Sequence, residues 1–176
     1  MPFPEFETER LVLQNITSQD KEFIFNLFSN AGVNRYLYDE APISTLDQAA
    51  GTIEKYWGGS PTDRNRWKIV LKATGSEVGT CGFHLWSERE RCADIGYDLL
   101  PSHWGKGYAR EALVPLLQFM KDELGAHCIR AIVYPENTRS VKVLERMGFV
   151  LGEETEDTEF AGKTYLHHIY ELRLQE

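Results

Sequence analysis

The chain has no apolar run long enough to cross a bilayer, no internal repeat and no low-complexity tract. A helical membrane protein, a solenoid and a disordered linker protein are therefore set aside. Cysteine is scarce: Cys81, Cys92 and Cys128 are scattered without paired metal-ligand spacing, which points to free thiols and away from a zinc ribbon or disulfide frame. Positive charge is the minority sign. The 19 Lys and Arg face 27 Asp and Glu, a formal net charge of −8, which disfavours direct nucleic-acid binding because phosphate contacts need a basic surface. A cationic partner is allowed, although acidity of this size also serves solubility alone. Met1-Pro-Phe-Pro-Glu5 lacks the basic and apolar regions of a signal peptide, so a cytoplasmic location with no membrane partner is expected. What remains is 176 residues, 42% hydrophobic and 26% charged, read as one domain spanning residues 1–176 around a single core.

The richest stretch runs from Asp94 to Leu113, Asp-Ile-Gly-Tyr-Asp-Leu-Leu-Pro-Ser-His-Trp-Gly-Lys-Gly-Tyr-Ala-Arg-Glu-Ala-Leu. It reads as a strand, a glycine-spaced turn and the start of an amphipathic helix. Gly105 and Gly107 let the backbone bend and bring its N–H groups close to a phosphate at the positive end of the helix dipole. A pyrophosphate is the ligand this geometry suits. A dinucleotide-binding turn would need a third glycine where Arg110 stands and an acid ending the next strand, Cys128–Tyr134, which has none. A P-loop would need Ser or Thr after Lys106, where Gly107 stands.

Gly96-Tyr97, then Trp104-Gly-Lys-Gly-Tyr-Ala109, then Glu111-Ala112, resemble the acyl-CoA motif of the GNAT acetyltransferase superfamily. Asn137-Thr-Arg-Ser140, with the helix that ends at Gly148-Phe149, resembles its downstream motif. Glu7 to Leu13 resembles the opening strand of the RimJ/RimL branch, which acetylates protein amino termini. The resemblance implies acetyl-CoA as co-substrate, no metal, and an amine acceptor attacked directly in a ternary complex. A protein N-terminal α-amine is the favoured acceptor, with a polyamine or other small amine as the alternative. A non-catalytic acyl-CoA sensor is a second class, and a homodimer is allowed.

The same resemblance assigns roles. Trp104, Gly105, Lys106, Gly107, Tyr108, Ala109 and Arg110 would hold the pyrophosphate, while backbone N–H groups near Leu99 and Leu100 would serve pantetheine and the developing oxyanion. Asp94 would draw off the amine proton through water; as a carboxylate on a half-solvated strand it could equally pair with Arg91 or Arg130. Glu159 resembles a family glutamate near the acceptor. Many family members carry a thiolate-protonating tyrosine where this chain has Leu144, so Ser140, one helical turn earlier, takes that role, and Asn137 would cap the helix and bond pantetheine. Tyr36, Tyr38, Trp86 and Trp104 are candidate walls of an acceptor cleft. His84 and the pair His167-His168 lack the spacing of metal ligands.

Along the chain, a strand from Arg10 to Ile16 leads to helices capped at Thr17-x-x-Asp20 and Ser44-Thr45, the second ending at Gly58-Gly59-Ser60-Pro61. A three-strand meander, Trp67–Lys72, Val78–Trp86 and Cys92–Leu100, precedes a helix carrying Ala109, Leu113, Leu116 and Met120, with Pro115 inside it. Cys128–Tyr134 then lies parallel to Cys92–Leu100, and Phe149–Phe160 with Tyr165–Leu174 closes a hairpin. The expected class is α/β (α+β): a mixed, mostly antiparallel sheet flanked by helices, whose central parallel strands splay, as in the GNAT fold.

Overall fold

Alternation along the strands divides the molecule into two faces. In β3 (Asn65–Leu71), Trp67 and Ile69 are buried on one side while Arg66 and Lys68 take the other. The computed structural model, which describes residues 3–58 and 61–174, repeats this division across the sheet. Met1 and Pro2 of the N-terminal stretch, and Gly59 and Ser60 of the expected helix break, lie outside those residues.

The remaining elements are β1 (Phe6–Glu7), β2 (Leu11–Asn15), α1 (Lys21–Phe28), α2 (Ala31–Asn34), α3 (Leu46–Trp57), β4 (Glu77–Ser87) and β5 (Cys92–Leu99). They continue with α4 (Tyr108–Asp122), β6 (Cys128–Val133), α5 (Thr138–Arg146), β7 (Val150–Phe160) and β8 (Lys163–Arg173). The strands form one sheet in the order β1-β2-β3-β4-β5-β6-β8-β7, antiparallel throughout except between β5 and β6. A parallel pair needs a crossover, and α4 supplies it.

One face is covered by α4, whose Ala109, Ala112, Leu113, Leu116 and Met120 pack on Leu11, Leu13, Trp67, Ile69 and Phe83. Each buried Leu or Met there contributes about 1.5–3 kcal/mol. α4 runs through Pro115, at the cost of the bond its N–H would have given the Glu111 carbonyl. A second cluster, with Phe23, Ile24, Leu27, Val33, Ala49 and Ile53, joins α1, α2 and α3. Two capping boxes start these helical stretches: Thr17 with Asp20 begins a short 3-10 turn into α1, and Thr45 with Gln48 begins α3. Asp20 is buried and also holds the Lys68 ammonium at 2.6 Å, which ties the helical layer to the polar face of β3.

Candidate active site

β5 and β6 pair only through Cys92–Cys128, Ala93–Ile129 and Asp94–Arg130, then part company. β6 stays with β8 from Ala131 to Val133, while β5 stays with β4 as far as Leu99. The edge of β5 that faces β6 therefore carries backbone groups with no strand beside them. The N–H of Leu100 is not one of them: it donates to the Val78 carbonyl at 2.9 Å, so the expectation of a donor there is corrected. Alternation places the N–H of Leu99 on the gap side, together with its carbonyl, which accepts from Trp104 Nε1 at 2.7 Å.

A cavity of about 550 Å³ opens on this gap. On the α4 and α5 side it is lined by Tyr97, Asn137 and Ser140. Asn137 caps α5 by accepting from the Ser140 N–H at 3.3 Å, and the Ser140 hydroxyl lies 2.7 Å from the Tyr97 hydroxyl. Burial pushes the Tyr97 phenol up to about 12, against the lowering effect of its bond to Ser140, so it stays protonated. Leu144 is 0% exposed in the core and offers nothing to the cavity. Tyr97 is the residue sequence reasoning passed over: it appeared only as the partner of Gly96 in a motif.

On the opposite face lie Asp94 and His84, directly across from one another on β5 and β4, and both line the cavity. Asp94 is 1% exposed, not half-solvated: His84 stands across from it on β4 and Arg130 on β6. Its Oδ1 accepts from Arg130 Nε at 2.8 Å, while Oδ2 is buried with no hydrogen-bond partner. Burial lowers the pKa of His84, with Arg66 and Arg64 adding to the effect and Asp94 and Asp39 opposing it. His84 is therefore neutral near pH 7 and able to accept a proton. Tyr36, Tyr38 and Tyr134 form an aromatic wall, with Tyr38 stacked on Tyr165 at 3.7 Å. Trp86 and Trp104 are not part of it. Asp39 and Glu156 also face the cavity, and among the described residues neither carboxylate is paired with a cation. Glu159 is not brought to the site: it is exposed on the hairpin, where it accepts from the Thr164 hydroxyl.

At the C-terminal end of β5 the chain turns through Gly105 (φ +73) and Gly107 (φ +82) into α4, whose first turn no side chain caps. Its N–H groups are left for a ligand. Lys106 and Arg110 are exposed beside them, and the Arg139 guanidinium sits 4.3 Å over the Trp104 ring. Glu111 fixes this end from behind, accepting from Thr8 Oγ1 at 2.6 Å, Arg10 N at 2.8 Å and Arg10 Nε at 2.7 Å.

Residues 10–150 match the acetyltransferase (GNAT) domain. The chain belongs to the GNAT acetyltransferase family. It is 38% identical over 148 residues to the N-acetyltransferase YoaA of Bacillus subtilis, covering 84% of this chain and 83% of that protein. It is also 27% identical to the spermidine N(1)-acetyltransferase of Vibrio cholerae, covering 80% and 79% of the two chains. A crystal structure of spermidine N-acetyltransferase from Vibrio cholerae, in complex with CoA and spermine, has a TM-score of 0.80 at 23% identity, covering 94% of this chain and 96% of the other.

As a GNAT enzyme the protein uses acetyl-CoA, and its residues fit that co-substrate. The uncapped α4 terminus, two glycines at positive φ and neighbouring cations suit a pyrophosphate, and the unpaired edge of β5 suits an amide-bearing arm. Of the residues picked from sequence, Asp94, Leu99, Asn137 and Ser140 border the gap, residues 104–110 form the turn and the start of α4 beside it, and Glu159 stands apart.

Proposed function

We propose that this GNAT acetyltransferase acetylates a protein N-terminal α-amine by direct attack in a ternary complex. Acetyl-CoA supplies the acetyl group as a thioester. The observation that carries direct transfer is the division of proton-handling groups across the splay: Ser140 and Tyr97 on the α4–α5 face, His84 and Asp94 on the other. An amine can enter from one side and a thiol can leave on the other, with no covalent enzyme intermediate. His84, kept neutral by burial, takes the amine proton, and the charge of Asp94 favours that step from across the strand. The Leu99 N–H faces the gap where an oxyanion would form. Ser140 supplies the proton for the leaving sulfur.

The α-amine rests on the resemblance of Glu7–Leu13 to the opening strand of the RimJ/RimL branch. A polyamine is the second reading, favoured by the carboxylates of Asp39 and Glu156 beside the tyrosine wall, which would hold a distal ammonium, and by the similarity to a spermidine acetyltransferase. Acetyl-CoA consumption with N-terminal peptides, polyamines and small amines in parallel separates them. Turnover of peptides but not of spermidine supports the α-amine; the reverse replaces it with the polyamine; tight acetyl-CoA binding with no turnover of any amine points to a sensor.

A further inference from the structure

We propose that Tyr97 is the proton source behind Ser140, so that two hydroxyls in series, rather than serine alone, serve the departing sulfur. The inference rests on the acetyl transfer proposed above.

A serine hydroxyl is a poor acid, and on losing its proton it must regain one at once. The neighbour placed to return it is Tyr97, whose hydroxyl is 2.7 Å from Ser140 Oγ and 3.2 Å from the Ser140 carbonyl oxygen. The phenol has one proton to give. If it went to the carbonyl, the serine would donate to the phenol oxygen and have nothing left for a ligand. The shorter distance favours donation to Oγ, which leaves the serine hydrogen free to point into the cavity that both residues line. The phenol is protonated across the working range, because burial and the nearby Asp98 charge both raise its pKa.

The step balances as follows. As the carbon–sulfur bond breaks, the sulfur takes the proton of Ser140, Ser140 Oγ takes the proton of Tyr97, and the Tyr97 oxygen is left as phenolate. It is reprotonated from cavity water, to which His84 passes on the proton it took from the acceptor nitrogen, so no net charge accumulates on the enzyme. The unreactive Leu144 is explained as well. Here the phenol reaches the sulfur's surroundings from β5 through Ser140, not from within α5. Tyr97 acts through another residue and is thus a positioning group.

The test compares Tyr97→Phe, Ser140→Ala and the double variant. Phenylalanine keeps the ring that packs against the core, so the melting temperature should hold. With an accepted amine, Tyr97→Phe should lower kcat by about tenfold or more with little change in KM for acetyl-CoA, and the double variant should lose no more than Ser140→Ala alone. The second readout needs no turnover: calorimetric titration of CoA itself as pH rises through the thiol range, near about 8.5 for an ordinary thiol. Donors aimed at the sulfur make wild-type binding tighten with pH as thiolate forms, and Tyr97→Phe should flatten that rise. An unchanged CoA profile, additive losses in the double variant, or a lowered melting temperature that accounts for the loss would make Tyr97 a packing residue and overturn the inference. If Ser140→Ala alone loses activity, the acetyl-transfer reading survives without the Tyr97 role. If no amine is turned over, that reading fails, and the CoA titration still decides Tyr97.

Discussion

Gly107→Val tests the cradle most directly, because the structure separates its steric and conformational costs. A Cβ added at Gly107 would meet only Arg10 Nη2, at 3.5 Å, which is ordinary contact with the tip of a flexible side chain. Space is therefore not the obstacle. The backbone is at φ +82, where an L-residue is disfavoured by about 1–2 kcal/mol, and a β-branched one by at least that. For a domain of this length each kcal/mol lowers the melting temperature by roughly 2–4 °C, so a fall of roughly 2–8 °C is expected. If the variant relieves the strain by leaving the left-handed region, the N–H groups of Tyr108, Ala109 and Arg110 turn away, and acetyl-CoA must restore them on binding. That converts the same 1–2 kcal/mol into a Kd weakened about tenfold, with roughly thirtyfold as the ceiling. Gly75→Val is the control. Gly75 is at φ +70 in the β3–β4 turn with nothing within 4 Å, so it should lose similar stability and keep its affinity. Scanning and titration calorimetry read both quantities. A folded Gly107→Val with wild-type Kd, or an equal loss of affinity in Gly75→Val, would show that the pyrophosphate lies elsewhere.

Asp94→Asn removes the charge that assists proton transfer to His84 and should lower turnover chiefly at low pH, where the amine is protonated and that assistance matters most, with acetyl-CoA affinity unchanged; a uniform loss at all pH values refutes the role. The same change leaves Arg130 without its carboxylate and should destabilise by about 1–3 kcal/mol, less than the roughly 3–5 kcal/mol of a fully buried pair because the Arg130 side chain is 35% exposed; urea denaturation measures it. Ser140→Ala should lower turnover by about tenfold across the whole pH range, since the sulfur needs a proton whatever the state of the amine, and steady-state pH profiles at saturating substrate check this. Burial raises the Glu111 pKa, but bonds from Thr8 and Arg10 outweigh it and hold the carboxyl below its usual range. A lowered folded pKa means stability that is present above the ordinary carboxylate range and is lost as pH falls through the folded value. Glu111→Gln should therefore be less stable near neutrality and show a flatter acid limb in denaturation curves from pH 7 to 3; an unchanged limb refutes the assignment.

The elements were legible because local chemistry and periodicity agree in them. Thr17-x-x-Asp20 and Thr45-x-x-Gln48 form the reciprocal caps their spacing implies, and the alternation of Trp67 and Ile69 with Arg66 and Lys68 sets the two faces of the sheet. The parallel pairing of β5 with β6 followed from the helix between them, and the splay from the family resemblance. The site was less legible because it depends on register. That Asp94 stands opposite both His84 and Arg130 is a property of three strands from separate parts of the chain, and no local pattern announces it. His84 was weighed only as a metal ligand, the role its sequence neighbours could speak to, and its place on the cavity wall came from the β4–β5 rung. Leu100 illustrates the opposite error. Its motif position was right, yet one residue decides whether an N–H faces β4 or the gap, and only the pairing with Val78 resolves which. Glu159 was displaced for a similar reason, since on the closing hairpin it is Glu156 and Thr158 whose positions face the cavity.

The division between the faces explains why a chain with Leu144 can still be built for acetyl transfer. Of the even positions of β5, Asp94 and Asp98 send their side chains toward the helical layer of α1 to α3, and Ile95, Tyr97 and Leu99 look toward α4 and α5. Tyr97 is the polar side chain in the second set. Once β6 diverges, it lies beside the gap and reaches the first turn of α5, where Asn137 holds Ser140 in place. A proton donor for the sulfur can thus come from the strand as well as from the helix, provided a small hydroxyl stands between them. Serine at residue 140 and tyrosine at residue 97 are consequently one device. Replacing Ser140 by Val should strand the phenol and cost as much turnover as losing both hydroxyls, whereas Ser140→Thr keeps the relay and should retain activity, a contrast that steady-state kinetics on the two variants would settle.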